Sequence, residues 1–443
     1  MPVKYSTAIV INSQRSNFSR LSLRTNLSWN LVGNLIYAVC QWGMLIVLAK
    51  MTTPEMVGRF SMALAVTAPI ILMSQLQLRE ILATDAKGEF LFEHYLSMRM
   101  VSTLIALMLI LVFVLWGGYT WEASVVILAM GLSKAVESIS DIYYGLMQRN
   151  ERMDLIAKSR IIKGTFSLVA MGAAIYVTGD VLWGVLSLAV IWASILVFYD
   201  LPSAISVLKQ RDSGIRASLM PPLDSYRILK LMHLALPLGV VGGLISLKPN
   251  IPRYFIEYYL GEWHLGIYAA LAYLTVVGHT FVSAVGQSVT PKLANYFAAG
   301  NFVSFRKLLL RLTLVGILIG FFGVTAAFVA GRPLLLLLYG LEYAEQSRVF
   351  ILLMFAGAVA FVASFICCGI MAARNFKIQM PLFLLATGTT GVLAWVLIPH
   401  YGAVGAALSL TAGSMVLVAG GTTVLYYIAK ASSDRLYSKL NDI

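Results

Sequence analysis

Charged residues are scarce in this chain of 443 amino acids. They make up 12% of the sequence, whereas apolar residues make up 59%, and the mean hydropathy is +0.82. Soluble globular domains carry about 25% charged and about 45 to 50% apolar residues, so the hydrophobic core of a water-soluble domain cannot bury this much apolar surface. The composition therefore predicts a membrane protein and excludes the disordered, collagen-like and secreted disulfide-rich classes.

Residues suited to metal binding and covalent chemistry are also few. The chain has five histidines and three cysteines, Cys40, Cys367 and Cys368, and all three cysteines lie inside apolar runs. We find no Cys/His spacing typical of zinc, no nucleophile elbow and no G-x-x-x-x-G-K-[ST] phosphate loop. The sequence thus predicts neither an enzyme nor a bound metal or organic cofactor.

Apolar segments long enough to cross a bilayer recur twelve times. A helix needs about 20 mostly apolar residues for this. We predict spans at 27–50, 57–82, 98–118, 123–147, 161–179, 182–206, 229–257, 263–289, 306–330, 348–372, 380–399 and 403–429. The polar first 26 residues lead into a stretch too long for a signal-peptide core, which predicts a retained first span.

The lysines and arginines orient these spans. With a cytoplasmic N-terminus, the inside segments hold 25 of the 33, the outside holds six, and Arg79 and Lys134 lie within spans. Basic loops collect on the cytoplasmic side, so we expect both termini in the cytoplasm. Basic loops facing an anionic leaflet also account for the net charge of +13 without nucleic acid.

Residues 207–228 divide the chain into two halves of six spans. This segment is charged and contains adjacent prolines, so we predict a first lobe at 1–206, a cytoplasmic linker at 207–228 and a second lobe at 229–443. The halves resemble each other, because Met56–Phe60 matches His264–Tyr268 at an offset of 208 residues. An even number of spans per copy predicts a parallel repeat, related by an axis along the membrane normal.

Five polar residues of the fourth predicted span lie on one helical stripe. Their spacings are 3, 4, 3 and 4 residues, and they are Lys134, Glu137, Asp141, Tyr144 and Gln148. Charge is costly against lipid, so we expect this stripe to face a cavity or the other lobe. Glu137 and Asp141 are then candidates to carry a coupling proton, unless Lys134 compensates their charge. The alternative is that Lys134 and Glu137 form a local pair that helps the helix to pack.

Isolated polar residues in three other spans are further candidates to line a transport path. They are Asn34 and Gln41 in the first span, Arg79 near the end of the second, and His279 in the eighth. The amides and the histidine could instead only join helices. Arg79 could form an internal ion pair or extend to the interface.

Two prolines, Pro249 and Pro252, interrupt the seventh predicted span. Each removes a backbone donor, so we expect the helix to bend or break there and to expose carbonyl groups. Lys248 and Arg253 beside the break are candidates to bind an anionic substrate, with Glu257 positioning Arg253. The alternative is an outer interface where the cations reach towards water.

Several short segments, in order along the chain, resemble one transporter family. They are PEMVGRF (54–60), YYGLMQRNERM (143–153), NIPRYFIEYYLGEWHLG (250–266), TPKLANYFAAG (290–300), LYGLEY (338–343) and YGAVGAA (401–407). Together they resemble the polysaccharide transporter (Wzx-type) flippases of the multidrug/oligosaccharidyl-lipid/polysaccharide superfamily. The resemblance implies an all-α, MATE-like protein of the bacterial inner membrane. It also implies glycosyltransferases and a polysaccharide polymerase as partners.

The resemblance implies a flippase that moves an isoprenoid (undecaprenyl) pyrophosphate-linked oligosaccharide to the outer leaflet for O-antigen or exopolysaccharide export. Alternating access of the two lobes would drive the movement. The second hypothesis is a drug or organic-cation antiporter, in which Glu137 or Asp141 exchanges a proton or a sodium ion. Formal charge does not separate the two, because four intramembrane cations are matched by four acids. The cations are Arg79, Lys134, Lys248 and Arg253, and the acids are Glu80, Glu137, Asp141 and Glu257.

Overall fold

The computed structural model describes residues 23–85, 90–211, 225–373 and 376–441, and within these ranges the chain is helical, without strands. The first half contains α1 (Leu23–Met51), α2 (Pro54–Gln75), α3 (Leu78–Thr84), α4 (Phe92–Trp116), α5 (Trp121–Arg149), α6 (Met153–Thr178), α7 (Val181–Ile195), a π-helical turn (Leu196–Asp200) and α8 (Leu201–Arg211). The second half contains α9 (Ser225–Leu260), α10 (Glu262–Ala298), α11 (Phe302–Leu338), α12 (Leu341–Ala344), α13 (Ser347–Ala372), α14 (Phe376–Tyr401) and α15 (Ala403–Asn441).

The twelve predicted spans are confirmed as twelve helical segments long and apolar enough to cross a membrane within the described ranges. Several are longer than predicted. Both α10 and α11 have 37 residues, which corresponds to about 55 Å, more than a hydrocarbon core needs. The ends of these two helices therefore extend beyond the hydrocarbon region. The predicted linker falls largely on residues outside the described ranges.

The second and seventh spans differ from the prediction in opposite ways. The second span is interrupted between α2 and α3, where Leu76 and Gln77 adopt left-handed backbone angles with φ of 53° and 48°. The seventh span was predicted to bend or break, and it does not break, since α9 is one helix through Pro249 and Pro252. The Asn250 amide donates to the Ser246 carbonyl at 2.8 Å.

The helices form two lobes, α1 to α8 and α9 to α15, that meet mainly where α2 packs on α9 and α10. Two glycines allow the closest approach. A Cβ atom at Gly58 would overlap the carbonyl oxygen of Glu262, and one at Gly266 would overlap the carbonyl oxygen of Pro54. Gly58 and Gly266 are 208 residues apart, as are Pro54 and Glu262. The two contacts are therefore related by the parallel repeat predicted from the sequence.

We name the two ends of the bundle by their turns. The basic face contains the turns at 150–152 and 299–301, and the opposite face contains those at 52–53, 117–120 and 261. The glycine contact between the lobes lies at the opposite face, in an apolar core that includes Val57 and Leu265.

Candidate functional site

Asp141 on α5 joins three helices of the first lobe. Its Oδ1 accepts a hydrogen bond from Arg79 Nη1 on α3 at 3.1 Å, and its Oδ2 accepts one from Arg99 Nη2 on α4 at 3.3 Å. Arg99 is fully buried and also donates to the Ser138 hydroxyl at 3.3 Å. Arg79 donates through Nε to Gln148 at 3.0 Å. Because the helix is interrupted before α3, Arg79 lies beside the polar stripe of α5.

Glu137, one turn before Asp141, has its own cation. Lys134 Nζ lies 2.8 Å from Glu137 Oε2, so the local pair considered as an alternative is present. The Tyr37 hydroxyl on α1 also donates to Glu137 Oε1 at 2.9 Å, which ties α1 to α5. Glu137 and Asp141 were expected to carry a proton only if no cation compensates their charge. Lys134 pairs with Glu137, and Arg79 and Arg99 pair with Asp141, so both charges are compensated.

The Tyr144 ring is surrounded by three cations. The guanidinium carbons of Arg79 and Arg160 lie 5.7 and 5.8 Å from its centroid, and Lys163 Nζ lies 5.3 Å from it. Cations at such distances are attracted by the ring quadrupole. Arg160 also donates through Nη1 to Asn34 Oδ1, which brings the predicted residue Asn34 into the same group.

A chain of hydrogen bonds connects the Tyr144 hydroxyl to the Asp200 carboxylate. Lys163 Nζ donates to the Tyr144 hydroxyl at 3.1 Å, and that hydroxyl lies 2.7 Å from the Ser159 hydroxyl. Ser159 in turn donates to Asp200 Oδ1 at 2.6 Å. The π-helical turn that ends at Asp200 places this carboxylate at a fully buried position. Turns of this kind are frequent at functional sites.

The predicted residues of the second lobe are not part of this group. Lys248 is buried and donates to the Ser414 hydroxyl at 2.8 Å. Arg253 makes no hydrogen bond or ion pair with the described residues, and its Nε is buried without a partner. Glu257 makes no ion pair with Arg253 among these residues, so no direct contact supports its predicted positioning role. Of the two predicted second-lobe cations, Arg253 is therefore the one without a hydrogen-bond partner among the described residues.

The last two predicted residues have fewer contacts. His279 on α10 is exposed, and Lys248 is the charged group that acts on it electrostatically. Gln41 on α1 is half-buried and makes no hydrogen bond with the described residues. Neither His279 nor Gln41 makes a hydrogen bond or an ion pair with the charged residues of α3, α5 and α6 described above.

Sequence reasoning missed four charged residues of the first lobe, Arg99, Arg160, Lys163 and Asp200. The first three were counted with the cytoplasmic basic segments, although Arg99 and Lys163 also fall at the start of the predicted spans 98–118 and 161–179. Because α6 begins at Met153, eight residues before the predicted start, Arg160 lies inside this helix as well. Asp200 is the acid of an otherwise apolar stretch, and such an acid is by default a functional candidate. That signal was available in the sequence.

These four residues extend the set of charged residues singled out from the sequence. Three cations and one acid added to the four cations and four acids of that set give seven against five, a formal charge of +2 for the set. The set is therefore cationic once these residues are included. We refer to Arg79, Arg99, Lys134, Glu137, Asp141, Tyr144, Arg160, Lys163 and Asp200 as the first-lobe cluster.

Polar contacts close the lobes together at the opposite face. Arg59 Nε lies 2.8 Å from Glu262 Oε2, and Trp42 Nε1 donates to the Tyr339 hydroxyl at 3.1 Å. The Tyr254 hydroxyl donates to the carbonyl oxygen of Ala65. A groove of about 470 Å³, lined by residues of both lobes, opens beside these contacts.

Comparison with known proteins agrees with this arrangement. Residues 23–297 match the family described as polysaccharide biosynthesis protein. The chain belongs to this family. This polysaccharide biosynthesis protein is 27% identical over 391 residues to the capsular polysaccharide biosynthesis protein CapF of Staphylococcus aureus, covering 88% of the chain and 96% of CapF.

Solved structures show the fold that this polysaccharide biosynthesis protein adopts. The lipid II flippase MurJ in an inward closed conformation matches with a TM-score of 0.71 and 12% identity, covering 94% of this chain and 93% of MurJ. An inward-facing multidrug resistance MATE family transporter of the MOP superfamily matches with a TM-score of 0.69 and 13% identity, covering 92% and 99%. The predicted MATE-like architecture is confirmed.

Proposed function

We propose that this protein is a flippase that moves an isoprenoid-pyrophosphate-linked oligosaccharide from the cytoplasmic to the outer leaflet by alternating access of its lobes. The observation that carries the proposal is the grouping of Arg79, Arg160 and Lys163 around the Tyr144 ring in the first-lobe cluster, where five cations face three acids. A pyrophosphate linkage is anionic, and guanidinium groups bind its oxygens in a bidentate manner. The names of the CapF and MurJ relatives support the same substrate class.

The cations lie at different depths, which suggests the order of contacts. Arg160 is seven residues from the basic-face end of α6, or about 10 Å. Arg253 is seven residues from the opposite-face end of α9, again about 10 Å, and Lys248 is five residues deeper. A head group that arrives from the basic face would meet Arg79 and Arg160 first and Lys248 and Arg253 later. An organic cation would be repelled along the same path, which disfavours the antiporter hypothesis.

The proposed direction requires the basic face to be cytoplasmic in a bacterial inner membrane. Reporter fusions after Gly118, Gly179 and His400 should then read outside, and fusions after Gln210, Asn301 and Lys430 should read inside, because cytoplasmic loops are enriched in lysine and arginine. An outside reading at Gln210 would contradict the division into six plus six spans.

Flipping of a fluorescent polyprenyl-pyrophosphate oligosaccharide in proteoliposomes tests the function directly. Loss of one charge-assisted contact costs about 1.5 to 3 kcal/mol, so Arg160→Ala should slow flipping roughly ten- to a hundredfold. Arg160→Lys should recover part of the rate, since the charge returns without the planar fork. Arg332→Ala, an exposed arginine of α11, is the matched control and should flip normally.

Two results would count against the proposal. One is wild-type protein that never protects the labelled lipid from quenchers outside the vesicle yet extrudes organic cations. The other is an Arg160→Ala variant that folds and flips at the wild-type rate, which would remove the first-lobe cluster from the substrate path.

A further inference from the structure

The Lys163–Asp200 pair is the part of the first-lobe cluster that substrate binding does not explain. Asp200 is fully buried, and Lys163 is 1% exposed. Their closest charged atoms are 3.9 Å apart, and no donor of ordinary hydrogen-bond geometry reaches Asp200 Oδ2 among the described residues, although the Ser140 and Tyr144 hydroxyls also interact with this carboxyl group. A buried carboxylate oxygen without a well-aligned donor is costly, so this atom is a place where a proton can bind.

The charged groups around Asp200 decide when a proton binds. Those that act on Asp200, Lys163 or Tyr144 are Tyr37 on α1, Arg79 on α3, Glu137 and Tyr144 on α5, Arg160 and Lys163 on α6, and Tyr199 beside Asp200. Asp154 and Arg152 act on Tyr199. Cations prevail on the side of Tyr144, and they stabilise the Asp200 carboxylate. Any ligand that neutralises these cations weakens that stabilisation.

We propose that Asp200 is a proton-exchange site, and that it takes up one proton when an anionic head group binds at Arg79 and Arg160. A proton from water adds to Oδ2, no other covalent bond changes, and the Ser159 hydroxyl continues to donate to Oδ1. The inference rests on the proposed function for the identity of the anion. The uptake reduces the net negative charge that enters the low-dielectric interior with a diphosphate diester.

The hydroxyl chain connects the two events. The Tyr144 ring contacts the cations that bind the anion, and its hydroxyl is linked through Ser159 to Asp200. Removing either hydroxyl should therefore uncouple proton uptake from anion binding without removing the guanidinium groups. This separates a coupling role from a merely structural one.

The test measures binding of farnesyl-pyrophosphoryl-N-acetylglucosamine to the purified full chain in lipid nanodiscs at about pH 5.5 and about pH 8. Both phosphates of this probe are esterified, so the probe itself does not titrate in this range. Coupling free energies between two ligands are commonly equivalent to five- to 150-fold, and we expect binding to be about tenfold tighter at the lower pH. In Asp200→Asn, Tyr144→Phe and Ser159→Ala this difference should fall below about twofold.

Matched controls share the position and burial of the tested residues. Tyr143→Phe changes the neighbouring buried tyrosine, and Ser167→Ala changes another buried hydroxyl of α6, which accepts a bond from Trp192. Both should keep the tenfold pH effect. If Asp200→Asn does not fold, because Lys163 is then buried without its partner, the double variant Lys163→Gln/Asp200→Asn replaces it, with the same loss expected.

A second measurement needs no ligand. Because the cations keep the ligand-free Asp200 carboxylate ionised to lower pH, infrared difference spectra of the same protein are taken between about pH 8 and about pH 4, and they should show a protonated-carboxyl band that disappears in Asp200→Asn. Wild-type binding that is independent of pH, or an unchanged band in Asp200→Asn, would overturn the inference and leave the flippase proposal intact. Absence of probe binding with the band present would instead count against the proposed function alone.

Discussion

At the scale of single residues, buried arginines of the same chain have opposite environments. Arg99 is fully buried and bonded to Asp141 and Ser138, whereas Arg253 has no partner among the described residues. Breaking a buried ion pair by removing one partner costs about 3 to 5 kcal/mol. Arg99 and Asp141 therefore have a structural role, and Arg253 is free to bind a ligand.

This difference predicts separate phenotypes for the two arginines. Arg253→Ala should slow flipping roughly ten- to a hundredfold at a normal folded yield, and Arg253→Lys should recover part of the rate. Arg99→Ala should instead lower the folded yield, measured by size-exclusion chromatography of the solubilised protein. A normal flipping rate in folded Arg253→Ala would assign that residue to the outer interface.

At the scale of elements, the crossing of α2 and α10 depends on the absence of two side chains. The atoms that a Cβ at Gly266 would meet, the carbonyl oxygen and carbon of Pro54 and the nitrogen of Gly58, all belong to the backbone and cannot rotate away. Overpacking at such a contact typically costs about 1 to 3 kcal/mol. This overpacking would destabilise the state in which the lobes are in contact at the opposite face.

Gly266→Ala should therefore shift the protein towards opening at the opposite face. With the native cysteines replaced and a cysteine at Tyr254, labelling by an impermeant maleimide from the outside should rise at least about fivefold, as expected for a shift of about 1 kcal/mol or more. Gly172→Ala, where the nearest atom lies at an ordinary 3.6 Å, is the control and should leave labelling unchanged. Unchanged labelling in folded Gly266→Ala would show that this crossing does not govern access.

At the scale of the whole molecule, the lobes are in contact at the opposite face and carry their cations on separate sides of the interface. The Arg59–Glu262 pair spans this interface, with 26% and 19% of the two side chains exposed. A single half-buried pair of this kind contributes on the order of 1 kcal/mol. Such a contact can break during each transport cycle, as alternating access requires.

Holding this contact closed should stop transport. In a background without native cysteines, Arg59→Cys/Glu262→Cys joined by a short bis-methanethiosulfonate reagent should flip at least about tenfold more slowly, since every outward-open state is blocked. Reductant should restore the rate. Each single variant treated with the reagent is the control, and full activity of the cross-linked protein would exclude opening at this face.

The sequence by itself determined the number of spans, the two-lobed repeat and the polar stripe of α5. These features depend on local hydropathy, length and helical spacing, which are properties of consecutive residues. The repeat of 208 residues was confirmed by the reciprocal contacts of Gly58 and Gly266. In contrast, the helix break at Leu76 and Gln77 contains neither glycine nor proline, so no residue type in the sequence predicted it.

Tertiary structure decided which charges meet. Asp141 finds Arg79 and Arg99, 62 and 42 residues earlier in the chain, and Lys163 approaches Asp200 across a helix interface. Charge compensation inside a membrane depends on distances of a few ångströms between side chains of different helices. Sequence spacing reports only the face of one helix. The cationic first-lobe cluster therefore emerged only when the helices were packed.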